Sequence, residues 1–291
     1  MKRILVPVDF SGHTGITCRY AVEFARLYDA EIRLFHTYFD QILLADTSFP
    51  DTLDLSTVYS EGLMKEILGH AERRMKELRE HTQKIILEEG LGNITLSSQV
   101  TGGELEHELK GLCQEFHPDL VVMGTAGSGR TLNTWGKVSS FIIDHARVPV
   151  ITVPEIRQFR GFGNVMYTAD LSPGNAGVIE GLIALLSDYR AKIHVVHFIT
   201  RIRQTDEYLR MRTLQMNFRD AEAKGLVRFE IVEVQEDNQA AIDRFVTDHQ
   251  IDLIAFQPQK HNMLYMMFTR NITRKNLFAT RVPLLSMPAT P

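Results

Sequence analysis

The sequence predicts an α/β protein of two tandem domains, each a five-stranded parallel sheet with helices on both faces. Three observations carry this reading: the length of the chain, a repeat within it, and the alternation of short apolar runs with amphipathic stretches. At 291 residues the chain exceeds what one hydrophobic core usually organises. Residues 3–38 match residues 164–199 at a constant offset of 161, pairing Asp9 with Asp170, Ser11 with Ser172, Ala30 with Ala191, Ile32 with Ile193 and His36 with His197. Further on, PDLVVMG at 118–124 matches IDLIAFQ at 251–257, and ARVPVITVP at 146–154 matches TRVPLLSMP at 280–288. Aligned blocks in the same order mark a duplication. The expected domains are 1–154 and 163–291, joined by a short charged linker.

Each repeat opens on a nearly all-apolar run, Ile4 to Val8 and Val165 to Ala169, as befits a strand buried on both faces of a parallel sheet. Ser11 and Ser172 follow as candidate N-caps. The next stretches carry apolar residues at helical spacing: Ile16, Tyr20, Phe24 and Leu27, then Val178, Leu182 and Leu185. A second strand ends each matched block. In the first repeat residues 39–57 read as an irregular loop, and residues 58–89 as a long amphipathic helix with Leu63, Ile67, Met75 and Leu78 on one face. A third strand, a short helix, a fourth strand, a loop, another helix and a fifth strand complete the unit. Strand and helix in alternation imply a doubly wound sheet with right-handed crossovers.

Composition narrows the function. With a formal net charge of −4 and no block of like charges, nucleic acid is not an expected partner. The two cysteines, Cys18 and Cys113, form no CxxC pair and are expected to be buried, reduced thiols. The apolar run after Lys2 and Arg3 meets Pro7 and Asp9 too soon for a signal peptide, and no stretch has membrane-span length. The expected location is the cytoplasm, with no membrane partner.

Open parallel sheets bind ligands beyond the carboxyl ends of their strands, where strand order reverses. Asp9 stands at such an end, where its carboxylate can accept a hydrogen bond from a ribose hydroxyl. The loop after the fourth strand runs from Met123 through Gly124, Gly127 and Gly136 to Lys137 and Val138. Its glycines let backbone N–H groups approach phosphate, and the helix after it adds a favourable dipole. The loop is neither a Walker P-loop nor GxGxxG, and a glycine-rich turn with no ligand fits it as well.

The strand–Asp–Phe–Ser opening, the Gly-2x-Gly after the fourth strand and the H-A-x-x-P-V before the fifth together resemble the universal stress protein family, over essentially the whole chain. That resemblance implies Rossmann-like domains of the adenine nucleotide alpha hydrolase-like type. Its ATP-binding branch carries Gly-2x-Gly-9x-Gly-Ser/Thr. Gly124 and Gly127 fit this pattern, but eight residues separate Gly127 from Gly136, and Lys137 stands at the Ser/Thr position. Carried over residue by residue, the resemblance implies Asp9 at the ribose, Thr37 at the adenine with Met123 at the loop's start, Gly124 and Gly127 under ribose and phosphate, and Gly136, Lys137 and Val138 at the outer phosphates. The implied ligand is ATP or another adenine nucleotide, in domain 1 only. Lys137 either neutralises phosphate as a point charge or fills the phosphate site itself. In the second repeat Gln257, Lys260 and Arg270 occupy the glycine positions and Pro258 lacks an N–H, so this half is expected to serve as the partner in an intramolecular pseudo-dimer. The resemblance also implies that the final strands of the repeats, around Val150 and Leu285, pair with each other. Pairing of two whole chains is the expected homodimer.

His36 and His197 read as strand-end histidines with one ring nitrogen bonded, and Glu104, Glu106, His107 and Glu108 as a solvated helix face rather than a metal cluster. The run Met263 to Phe268 reads as packing or as an adaptable partner surface. No catalytic constellation or metal site is expected. Two rival readings stay open: a weak nucleotide hydrolase in which Asp9 and the Gly124 loop organise Mg²⁺, and an interaction module with both pockets closed.

Overall fold

The computed structural model describes residues 1–38, 61–125, 137–155, 159–199, 204–234, 237–258, 277 and 279–288. The elements run β1 (Arg3–Pro7), α1 (Thr14–Tyr28), β2 (Glu31–Thr37), α2 (Glu61–Glu88), β3 (Thr95–Thr101), α3 (Leu105–Phe116), β4 (Leu120–Gly124), α4 (Lys137–His145) and β5 (Val150–Val153). They continue β6 (Asn164–Thr168), α5 (Asn175–Leu186), β7 (Lys192–Ile199), α6 (Gln204–Met216), α7 (Arg219–Ala223), β8 (Val227–Glu233), α8 (Asn238–Asp248), β9 (Leu253–Phe256) and β10 (Leu284–Ser286). The α/β alternation is therefore as expected. The expected loop over 39–57, the run Met263 to Phe268, and Gly127, Gly136, Lys260 and Arg270 lie outside the described residues.

Packing divides the chain into two compact units, Met1–Arg130 with Trp135–Ile142, and Thr131–Thr134 with Ile143–Pro291. In the first the strand order is β3-β2-β1-β4, all parallel. The chain moves outward from β1 to β3 and returns to the other side of β1, so strand order reverses between β1 and β4. In the second unit the order is β5-β10-β9-β6-β7-β8, and it reverses between β6 and β9. All its pairings are parallel except one: β10 runs antiparallel to β5, with Leu284↔Thr152, Leu285↔Ile151 and Ser286↔Val150. The expected pairing of final strands is this ladder. Ile4, Leu5, Val6, Leu120 and Val122 are fully buried in one unit, and Val165, Met166, Leu253 and Ile254 in the other. Each large aliphatic side chain so buried contributes about 1.5–3 kcal/mol.

The duplication persists at atomic detail. Asp119 Oδ2 accepts from the backbone N–H groups of Lys2 (2.6 Å) and Arg3 (3.0 Å), and Asp252 Oδ2 accepts from Gly163 (3.0 Å) and Asn164 (3.1 Å). Left-handed residues recur in pairs: Phe10 and Leu171 at φ 56° and 59°, Asp29 and Arg190 at 46° and 51°, His117 and Gln250 at 48° and 50°.

Two sequence expectations need correction. Ser11 and Ser172 are not N-caps; His13 and Gly174 precede the helices, with no side-chain cap. The left-handed residue before each serine turns the chain, so the serine offers its carbonyl to Thr14 and Asn175 N–H (both 3.1 Å). Cys18 is buried, and burial pushes its thiol up to about 12, but Cys113 is only half-buried on α3.

Candidate functional site

Asp9 follows β1 at the carboxyl edge of the sheet, beside the point where strand order reverses. Its Oδ1 accepts from Ser11 N–H (2.9 Å) and Thr14 Oγ1 (3.2 Å). Its Oδ2 is buried and has no hydrogen-bond partner among the described residues. A buried carboxylate oxygen without a donor is costly, so this atom is where a ligand hydroxyl gains most. Thr37 closes β2 and is buried (4% exposed), paired with Thr101 of β3. Met123 and Gly124 end β4, the methionine buried and the glycine half-buried. Asp9, Thr37, Met123 and Gly124 thus share the carboxyl edge of adjacent strands. Lys137 and Val138 form the start of α4.

Phe10 of the Asp–Phe–Ser opening and the strand-end His36 hold this edge in shape together with two residues the sequence did not single out, Arg74 and Tyr38. Phe10 is left-handed, a conformation that strains a bulky residue by about 1–3 kcal/mol. Arg74 of α2 reaches it from the other side, donating to its carbonyl (2.6 Å) with the guanidinium 4.9 Å from the ring centroid. His36 packs against the same ring, centroids 4.3 Å apart, and its Nδ1–H donates to Val8 carbonyl (2.7 Å). Burial pushes His36 below its ordinary value; the Val8 bond and Asp9 oppose that, and Arg74 adds to it. Tyr38 lies over Gly102, so close that a Cβ there would sit 2.8 Å from the phenol Cζ. That contact fills space beyond β2 and β3.

The second repeat builds the same scaffold and closes it. His197 Nδ1–H donates to Ala169 carbonyl (2.8 Å), as His36 does to Val8. Asp170 Oδ1 accepts from Ser172 N–H (3.0 Å). Asn175 replaces Thr14 and is fully buried. Its amide donates to Asp170 Oδ1 (2.6 Å) and Ser172 Oγ (2.9 Å), and its carbonyl oxygen accepts from Leu171 N–H (3.0 Å). Gln257 stands where Gly124 stands in the first repeat, and its amide leans over the start of α5: a Cβ on Gly174 would lie 3.4 Å from Gln257 Nε2 and Oε1. Side-chain amides thus occupy the crevice whose counterpart presents Asp9 Oδ2. The sequence flags Gln257 through the lost glycine; Asn175 is visible only as the partner of Thr14 in the repeat alignment.

Among the described residues no helix is long and apolar enough to cross a membrane. A family model of the Universal stress protein family matches residues 1–154. A universal stress protein from Archaeoglobus fulgidus DSM 4304 has the same fold, at 15% identity and a TM-score of 0.68, covering 99% of this chain and 96% of that one. A functionally unknown protein from Pseudomonas aeruginosa PAO1 follows at 14% identity and a TM-score of 0.62, covering 99% and 93%. A search of curated proteins finds no match. With more than half its length under the family model and the same fold throughout, the chain belongs to the universal stress protein family.

Proposed function

We propose that the protein is a non-catalytic, cytoplasmic stress-response protein of tandem type, made of repeats 1–154 and 163–291, that binds an adenine nucleotide in its first repeat only. The observation that carries this reading is the buried Asp9 Oδ2, without a partner among the described residues, at the carboxyl edge where strand order reverses, the position at which open α/β sheets take ligands. In this reading Asp9 accepts from a ribose hydroxyl, Thr37 and Met123 flank the base, and backbone N–H groups of Gly124, Gly127 and Gly136 approach the phosphates with Lys137 and Val138 at the outer end. Lys137 supplies a point charge to the phosphates. The crowded Asp170 crevice takes no nucleotide, and the second repeat acts as the fixed partner of a pseudo-dimer; whole chains pair further as homodimers. Asp9 offers one carboxylate, and among the described residues it belongs to no cluster that could hold a metal ion, so hydrolysis is not part of the proposal.

Mass spectrometry of the denatured, freshly purified chain tests this directly: an adenine nucleotide is expected at up to one per chain, and none from Asp9→Ala. Titration with ATP and AMP then reads the phosphate end. A chain that copurifies with nothing and gives flat isotherms with both nucleotides favours the second reading, an interaction module with closed pockets. Tyr38 packed over Gly102 is the observation on that side.

A further inference from the structure

The second repeat carries a cluster that the nucleotide reading does not use. His194 lies on β7, Glu230 on β8 and His249 just beyond the end of α8. Each offers one donor atom, and the three atoms lie within 4.8 Å of one another. His194 Nδ1 is 2.7 Å from Glu230 Oε1, and His249 Nε2 is 4.0 Å from Glu230 Oε2. The imidazole centroids are 4.9 Å apart. Phe245 walls the cluster, stacked on His249 (centroids 4.1 Å) and edge-on to His194 (5.9 Å).

We propose that His194, Glu230 and His249 form a binding site for a divalent transition-metal ion of the zinc class. Two imidazoles and one carboxylate are an established zinc donor set that leaves a fourth position for water, and imidazole favours zinc, copper or nickel over magnesium and calcium. Bonds of about 2.0–2.2 Å in tetrahedral geometry put donor atoms roughly 3.3 Å apart, between the two separations found here. Small side-chain rotations bring both to that value. The ion takes the place of the proton held between His194 Nδ1 and Glu230 Oε1, and that proton moves to the ring's other nitrogen.

Three features fit this assignment. His194 is buried, with a side-chain exposure of 3%, while Glu230 (17%) and His249 (29%) leave a route from solvent. Burial, the largest influence, pushes His194 below its ordinary value, and Glu230 only partly restores it, so a neutral ligand is what the fold favours. The third feature is comparative. The equivalent positions in the first repeat are Arg33, matched to His194, and Phe116, matched to His249. There the Arg33 guanidinium sits 4.1 Å from the Phe116 ring centroid and pairs with Glu31 at 3.3 Å. On these strands the first repeat sets a permanent cation against a carboxylate; the second brings two imidazoles and a carboxylate together, a donor set that suits a metal ion. Lys192 and Arg228 flank the site, and Arg228 Nε is 3.5 Å from Glu230 Oε2, so its side chain swings outward as the ion enters.

The test uses the full-length chain, stripped of metal and free of nucleotide, titrated with Zn²⁺ alone and separately with Co²⁺ to read visible absorption. One ion per chain is expected, with a tetrahedral Co²⁺ spectrum. Because loss even of an outer-shell partner costs about 10–100-fold in affinity, His249→Ala and Glu230→Gln are each expected to weaken binding by more than about tenfold. Both residues are partly exposed, so these variants avoid the folding risk of altering His194; circular dichroism checks them. His107→Ala, on an exposed part of α3, should bind as the parent does. Absence of stoichiometric uptake overturns the proposal. So does binding that survives both His249→Ala and Glu230→Gln, which would place the ion on other histidines.

Discussion

The Asp9 and Asp170 crevices share a backbone and differ in what fills them. Both have a left-handed residue after the aspartate, a serine N–H on Oδ1, and a strand-end histidine donating to the carbonyl of the residue before the aspartate. In the first, Thr14 gives Asp9 one bond of 3.2 Å, and Oδ2 has no partner among the described residues. In the second, Asn175 ties three groups together and Gln257 lies over the helix start. The crevice that keeps an unpartnered acceptor is thus braced from outside, by Arg74. The one that has lost its glycines is braced from within. A duplicated fold can change what fills a crevice without giving up its frame, provided side-chain amides take over the bonds.

This contrast can be broken most sharply at Asn175. Asn175→Ala leaves Asp170 Oδ1, Ser172 and Leu171 N–H short of partners and is expected to cost about 3 kcal/mol in urea unfolding, while Thr14→Ala costs about 1 kcal/mol. Equal losses would mean that the two crevices are held alike. Arg74→Ala should remove about 1–2 kcal/mol, because the left-handed Phe10 loses both its carbonyl partner and the cation over its ring. The matching residue Leu171 has its own clamp, so an Arg74 variant that also lowers the second repeat's transition would contradict the comparison.

Acid should act on the histidines of both halves. Burial leads in holding His36 and His194 below their ordinary values near 6.5. A folded value beneath the unfolded one means that stability is complete above about pH 6.5 and falls as pH drops through the folded values. A Tm that is level above pH 7 and declines below about 6.5 is expected, less steeply in His36→Asn, which keeps the donor to Val8 without the titration. The smallest effect is predicted at Tyr167, the counterpart of Val6. Its buried hydroxyl has no partner among the described residues, so Tyr167→Phe should be neutral or stabilising by up to about 1 kcal/mol; a clear loss would reveal a bond of that hydroxyl.

Fold class was legible because long-range periodicity and the repeat reinforce each other: apolar runs such as Ile4 to Val8 and Val165 to Ala169 cannot sit at a surface, and their shared order fixes a common topology. Of the candidate site, the sequence makes the strand-end Asp9 legible, which the structure places beside the reversal of strand order; the glycines that follow Gly124 lie outside the described residues. Arg74 could not be found this way, since a cation on a long helix is ordinary until the left-handed Phe10 beneath it is known. Serine was read as a cap at Ser11 because local preference ignores that same turn. Likewise His194, Glu230 and His249 lie on three separate elements, and no spacing rule joins them.

The antiparallel ladder between β5 and β10 has a practical consequence. Residues 150–153 precede the linker, yet they cover the edge of the strand that ends the second repeat. Fragments cut at the linker would strip Leu284 and Leu285 of that cover and leave a row of unsatisfied amides and carbonyls beside apolar side chains, which invites edge-to-edge association. Expression of residues 163–291 alone should therefore yield oligomers or aggregates.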